Sequence, residues 1–133
     1  MSREIRFRIW DKEHKKLLIN TDYKDFVINM QGQVYCISGY FDYAKVDEYD
    51  GVQISQFTGL KDRQGREIYE GDILKYGSCV EVVFYEPTMG RFMTELKKCN
   101  DESEIGEISS LSPYYTDNYK VIGNVYENSE LLK

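Results

Sequence analysis

The chain has 133 residues, 41% of them hydrophobic and 14% aromatic, with a formal net charge of −6. That size and make-up supply one domain with a real core, and the 12 tyrosines favour strands. The acidity argues against a general affinity for nucleic-acid phosphate; no apolar run is long enough to cross a bilayer, and Arg6 and Arg8 interrupt any signal-peptide core.

Arg3 to Trp10 alternates with period two. The pattern predicts a half-buried strand with Ile5, Phe7 and Ile9 on the core face and Arg6, Arg8 and Trp10 on the other. Asp11 to His14 is a polar turn, and Lys16 to Ile19 returns as a second strand. His14 reads as an exposed turn residue, because no neighbour offers it an obvious partner for acid–base or metal chemistry. Phe26–Met30 and Gln33–Ile37 flank Gln31-Gly32 as a hairpin, with Cys36 as a buried structural thiol. Residues 38–51 are acidic and rich in tyrosine, which predicts a loop or edge hairpin. Val52 to Phe57 then alternates.

The stretch from Gln56 to Tyr76 organises the chain. Gly59, Gly65 and Gly71 each permit a sharp turn, and Asp62-Arg63-Gln64-Gly65 reads as a connection between two extended arms. Gly71, between Glu70 and Asp72, predicts a turn or bulge that redirects the chain into a strand at Ile73–Tyr76. Cys79–Tyr85 and Arg91–Leu96 form a further strand pair around a turn at Glu86–Gly90. Residues 97–118 are polar and read as a loop with one short helix. Tyr119–Tyr126 is a last strand, and Glu127–Leu132 a helical turn capped by Asn128 or Ser129. The fold class that results is mostly β: hairpins plus a small SH3-like barrel, with a short C-terminal helical turn. The chain reads as one domain, 1–133, in which an N-terminal hairpin subdomain (1–50) can be set apart from a barrel-like part (51–133). Ile5, Phe7, Val82, Phe84, Val121 and Val125 are the expected core.

Cys36, Cys79 and Cys99 are an odd number at wide spacing. They make neither a zinc pattern nor a disulfide framework, so reduced thiols in a cytoplasm are expected.

Three blocks, taken together, resemble the YopX family of phage and prophage proteins. They are Arg3 to Asp11, then Gln56 to Asp62 continuing through Gly65 to Glu70-Gly71-Asp72-Ile73, and Val121 to Asn128. The sequence departs mildly from the family pattern, with Phe57 where Tyr is usual, Ile9 where Ala is common and Ser129 where Pro is common. The resemblance implies a mostly β protein, encoded by a phage or integrated prophage and working inside a bacterial cell. It implies no established activity, and it carries over no catalytic residue.

Glu67, Glu70 and Asp72 are the carboxylates an enzyme would use, but they bracket a glycine in a hydrophilic turn, where Asp72 is better placed to cap the turn. No catalytic, metal-binding or cofactor-binding set emerges, so a non-enzymatic protein is expected. A nucleic-acid reading rests on Arg6, Arg8 and Trp10, two cations beside a ring that can stack on a base, with Tyr40, Phe41 and Tyr43 as further stacking groups. A protein-interaction reading ranks above it. Here the same face of Arg6, Arg8 and Trp10 makes a protein contact within a homo-oligomer, with acidic runs at Asp47–Asp50 and Asp101–Glu107 as complementary partners, or it meets a host or phage protein. Strands at residues 3–10 and 119–126 offer edges for added strands. Far-UV circular dichroism should be dominated by strand; a helix-dominated spectrum would contradict the fold class.

Overall fold

The alternating segments become strands in the computed structural model, which describes residues 3–19, 26–38, 45–48 and 51–133. Tyr40, Phe41 and Tyr43 lie outside the described residues, as does the side chain of Cys36. The chain parts into two units, Phe7–Ser55 and a larger one of Met1–Arg6 with Gln56–Lys133.

In the smaller unit, β1 (Phe7–Asp11) pairs antiparallel with β2 (Lys16–Ile19), Ile9 opposite Leu18. On its other side β1 meets the first half of β6 (Val52–Lys61), where Lys12 N–H donates to Gly51 O at 3.0 Å. A meander of β3 (Phe26–Ile28), β4 (Val34–Ser38) and β5 (Lys45–Glu48) completes the unit. Ile9, Leu18 and Val34 are its buried core, with Ile28, Val52 and Ile54 packed against them.

The N-terminal strand differs from the expected one. It begins at Phe7, not Arg3, and its burial does not alternate: Phe7 is 39% exposed, Arg8 only 6% and Ile9 8%. Arg8 and Ile9 point to opposite faces and both are buried, so the strand has lost the period-two signature. Ile5 lies before the strand and is 59% exposed. The turn that follows bears out an exposed His14 but supplies the partner the sequence hid. Asp11 is buried, accepts from the N–H groups of Glu13 and His14, and lies 2.7 Å from His14 Nδ1. The hydrogen bond to Asp11 raises the His14 pKa above its ordinary value.

In the larger unit, the second half of β6 pairs with β7 (Glu67–Tyr69). A five-stranded antiparallel sheet follows, ordered β11-β10-β9-β8-β12, in which β8 is Asp72–Tyr76, β9 Cys79–Glu86, β10 Arg91–Lys98, β11 Ile108–Ser110 and β12 Lys120–Asn124. It curls into a half-barrel. Ile68, Leu74, Val83 and Val121 fill it, with Leu111 and Tyr119 against them. Of the expected core, Val121 is buried, Val82, Phe84 and Val125 are half-buried, and Ile5 and Phe7 are exposed. The buried face of β9 is the other one, carrying Glu81 and Val83. Glu81 accepts from Thr94 Oγ1 at 2.9 Å, and burial together with a hydrogen bond to Glu81 raises the Tyr119 pKa far above the usual tyrosine value.

Residues 97–118 hold a 3-10 turn at Glu102–Glu104, β11, and a one-turn helix at Pro113–Thr116 whose first turn is capped by Ser112. The C-terminal turn is 3-10, Ser129–Leu132. Asn128 stands at its cap position but accepts from Asn124 N–H instead. Cys79 and Cys99 are joined by a disulfide, against the expectation of reduced thiols. The β9–β10 register brings them together, because Val80 lies opposite Lys98 and the cysteines flank that pair. Linear spacing alone cannot show this.

Gly71 ties the unit together. Its N–H donates to Val83 O and its carbonyl accepts from Val125 N–H, both at 2.8 Å, with φ at +82°. A Cβ there would stand 3.1 Å from the Tyr126 ring and 3.3 Å from Val125. Asp72 caps the same turn, its Oδ2 accepting from Tyr69 N–H at 2.8 Å. Gly71→Val should therefore destabilise the fold by about 1–3 kcal/mol. Urea denaturation checks this, and a wild-type midpoint in the variant would contradict it.

Candidate binding surfaces of the larger unit

The local structure starts from the turn after β6. Asp62 is buried, and its Oδ1 accepts from Gln64 N–H at 2.8 Å and Arg66 N–H at 2.9 Å. Its Oδ2 accepts from Val121 N–H of β12 at 2.9 Å. Arg66 Nη1 donates to Val121 O, and Arg63 N–H donates to Tyr119 O. Burial alone would raise the Asp62 pKa, but the backbone donors of Val121, Arg66 and Gln64 outweigh it and hold the carboxyl below its ordinary value. The outer edge of β12 is thus occupied. The stretch 119–126 does not offer the open edge expected of it, and β1, with a strand on each side, does not either. β11 is the exposed outer strand of the five.

The residues singled out by sequence fall in different places. Arg6 pairs with Glu4 at 2.6 Å and with Glu67, and its guanidinium lies 5.7 Å from the Phe57 ring centroid. Arg8 is buried and Trp10 half-buried, both in β1 of the smaller unit. Gly59 and Gly65 take positive φ, 86° and 81°, as turn glycines. Glu67 also accepts from Tyr69 Oη at 3.0 Å, and Glu70 accepts from Gln56 N–H at 2.9 Å. Glu67, Glu70 and Asp72 each hold a structural bond.

Sequence reasoning missed a groove of about 380 Å³ in the larger unit, lined by Arg3, Leu60, Tyr85, Arg91, Phe92 and Leu111 among others. The Glu86–Gly90 turn sets Arg91 at its mouth: Gly90 N–H donates to Glu86 O at 2.8 Å. Glu86, directly opposite Arg91 in register, is engaged by Thr88, whose side-chain and backbone bonds lower the Glu86 pKa. Tyr85 and Phe92 meet edge to face with centroids 5.5 Å apart. Among the described residues, neither Arg3 nor Arg91 has a carboxylate at ion-pair distance. The strand pair that carries Tyr85 and Phe92 was legible in the sequence, whereas the meeting of Arg3 with Arg91 at one groove exists only in the fold.

A curled antiparallel half-barrel whose edge strand is held by a carboxylate turn makes this a mostly β protein. The YopX family model, described as YopX protein, matches residues 6–133, and the chain belongs to that family. Its structure is similar to the crystal structure of protein EF1440 from Enterococcus faecalis, at 28% identity and a TM-score of 0.60 over 99% of this chain and 100% of that one. It is also similar in fold to the crystal structure of yopX from Bacillus subtilis, at 20% identity and a TM-score of 0.58 over 99% and 98% of the two chains. No curated protein matches the chain.

The Asp62 geometry predicts an acid-dependent stability. Its folded pKa is lowered, so its contribution is present above the unfolded carboxylate pKa and is lost as pH falls through the folded one. Asp62→Asn should lose about 1–3 kcal/mol at neutral pH, since an amide NH2 faces one of the N–H donors. That gap should narrow towards about pH 3. Urea midpoints of both proteins across this range check it; a constant gap would contradict it.

Proposed function

We propose that this YopX-family chain is a non-enzymatic interaction module, a phage- or prophage-encoded accessory protein of the bacterial cytoplasm, and that its partner is a second copy of itself. The observation that carries the reading is the groove of Arg3, Arg91, Tyr85 and Phe92, cationic and aromatic, with no carboxylate among the described residues at ion-pair distance from either arginine. Buried aromatic and arginine side chains are the residues that anchor interfaces. The same chain carries the complementary segment. Asp101, Glu102, Glu104 and Glu107 are exposed, and between and beside them Ile105 is 47% and Ile108 56% exposed. An acidic run with two apolar side chains matches a groove that pairs two cations with two rings. Engagement of one copy's run by another's groove is head-to-tail association.

The alternative, nucleic acid gripped by Arg6, Arg8 and Trp10, draws no support from their surroundings. Arg6 is paired with two glutamates, and Arg8 is buried. Size-exclusion chromatography with light scattering tests the proposal. The wild type should exceed the mass of one chain, and Arg3→Glu with Arg91→Glu should return it to that mass while its circular dichroism stays unchanged. A wild type that is monomeric at every concentration, or a variant with the wild-type mass, would overturn the reading. Salt-sensitive DNA binding lost in the variant would replace it with a nucleic-acid one.

A further inference from the structure

A second concavity of the larger unit, about 320 Å³, is lined by Arg63, Lys75, Gly77, Lys120 and Ile122. Its three charged residues are all cations, in a protein with 23 acidic and 17 basic residues. Each is placed by a different part of the fold. Arg63 belongs to the turn that Asp62 organises, and its N–H bond to Tyr119 O, at 3.1 Å, holds it beside Lys120. Lys75 lies on β8 and Lys120 on β12, and the two are direct Cα partners in the antiparallel register.

That register decides between a solvated surface and a site. Directly opposed residues in an antiparallel pair project to the same face with close Cβ atoms, and like charges there are destabilising. A carboxylate neighbour would relieve the pair. Among the described residues, none of Arg63, Lys75 and Lys120 lies at ion-pair distance from one. Single exposed lysines need no explanation. Two lysines forced together by strand pairing, with an arginine fixed next to them by its backbone, leave an uncompensated concentration of positive charge in a concavity. Gly77 adds no side chain to the mouth, and nothing lies within 4 Å of where its Cβ would stand.

We propose that this cavity binds a phosphate-type oxyanion with two or more negative charges, either inorganic or the diphosphate end of a nucleotide. The arginine presents a planar fork suited to two oxygens of one phosphoryl group, and the lysines supply point charges to its neighbours. The cavity volume sits at the low end of small-molecule sites, roughly 300–1,000 Å³, which suits a diphosphate with little else enclosed. Ile122 gives the one apolar wall. The site uses none of the residues of the Arg3 and Arg91 groove, so it stands or falls separately from self-association.

The test is titration calorimetry with sodium pyrophosphate and, in a second arm, with ADP, each against sodium chloride of equal ionic strength, on the wild type and on Lys75→Gln with Lys120→Gln. Pyrophosphate should bind the wild type and bind the double variant about tenfold or more weaker. Tighter ADP binding would assign the diphosphate to a nucleotide; pyrophosphate binding alone would assign it to an inorganic ion. Melting curves guard against a folding defect. In low salt without the anion, the variant should melt at or above the wild-type temperature, because the opposed lysines are gone. Pyrophosphate should raise the melting temperature of the wild type alone. Absence of any heat or melting shift beyond the chloride control, or equal effects on both proteins, would overturn the proposal.

Discussion

The carboxylate of Asp62 collects backbone N–H groups from two stretches far apart in the chain, Gln64 and Arg66 in its own turn and Val121 in β12. An open β-sheet leaves its last strand with unsatisfied donors and acceptors, which invite uncontrolled pairing. Here one buried side chain takes up the Val121 donor of that strand. Arg66 and Arg63 add bonds to the carbonyls of Val121 and Tyr119 along the same edge. The charge of Asp62 is affordable in a buried position because three oriented donors replace the water it loses. The same constraint sets Arg63 beside Lys120, so the feature that closes the sheet also builds the cationic concavity.

Gly71 and Asp72 act at the entry to β8 as Asp62 does along the neighbouring β12. Gly71 bonds to β9 and to the chain after β12, and Asp72 caps the turn at Tyr69. Gly123 serves the C-terminal side by absence: a Cβ there would come within 2.5 Å of Asn128, whose carboxamide instead accepts from Asn124 N–H. The blocks through which the sequence resembles its family are therefore blocks of backbone bonding. Their acidic residues hold turns and strand edges.

Strand content was legible because period-two alternation and glycine turns are local signals. The Asp62–Gly65 connection, the turn at Gly71 and the capping role of Asp72 could all be read from neighbouring residues. What was not legible depends on pairing between distant segments. The face of β1 was misread because its burial does not alternate: Phe7 is exposed, while Arg8 and Ile9, on opposite faces, are both buried. Arg6 was assigned to a free surface because its partner Glu67 is 61 residues away. The Cys79–Cys99 bond follows from hairpin register and not from linear spacing. Of the binding surfaces, each cation was visible in the sequence, but the grouping of Arg3 with Arg91, and of Arg63 with Lys75 and Lys120, was not.

The Asp62 carboxylate locks β12 into the sheet through the Val121 amide. Native-state hydrogen exchange at the Val121 amide tests it most directly. With that lock in place, this amide should exchange only through global unfolding, with the denaturant dependence of the whole domain. Exchange of Val121 through a local, denaturant-independent opening would contradict it.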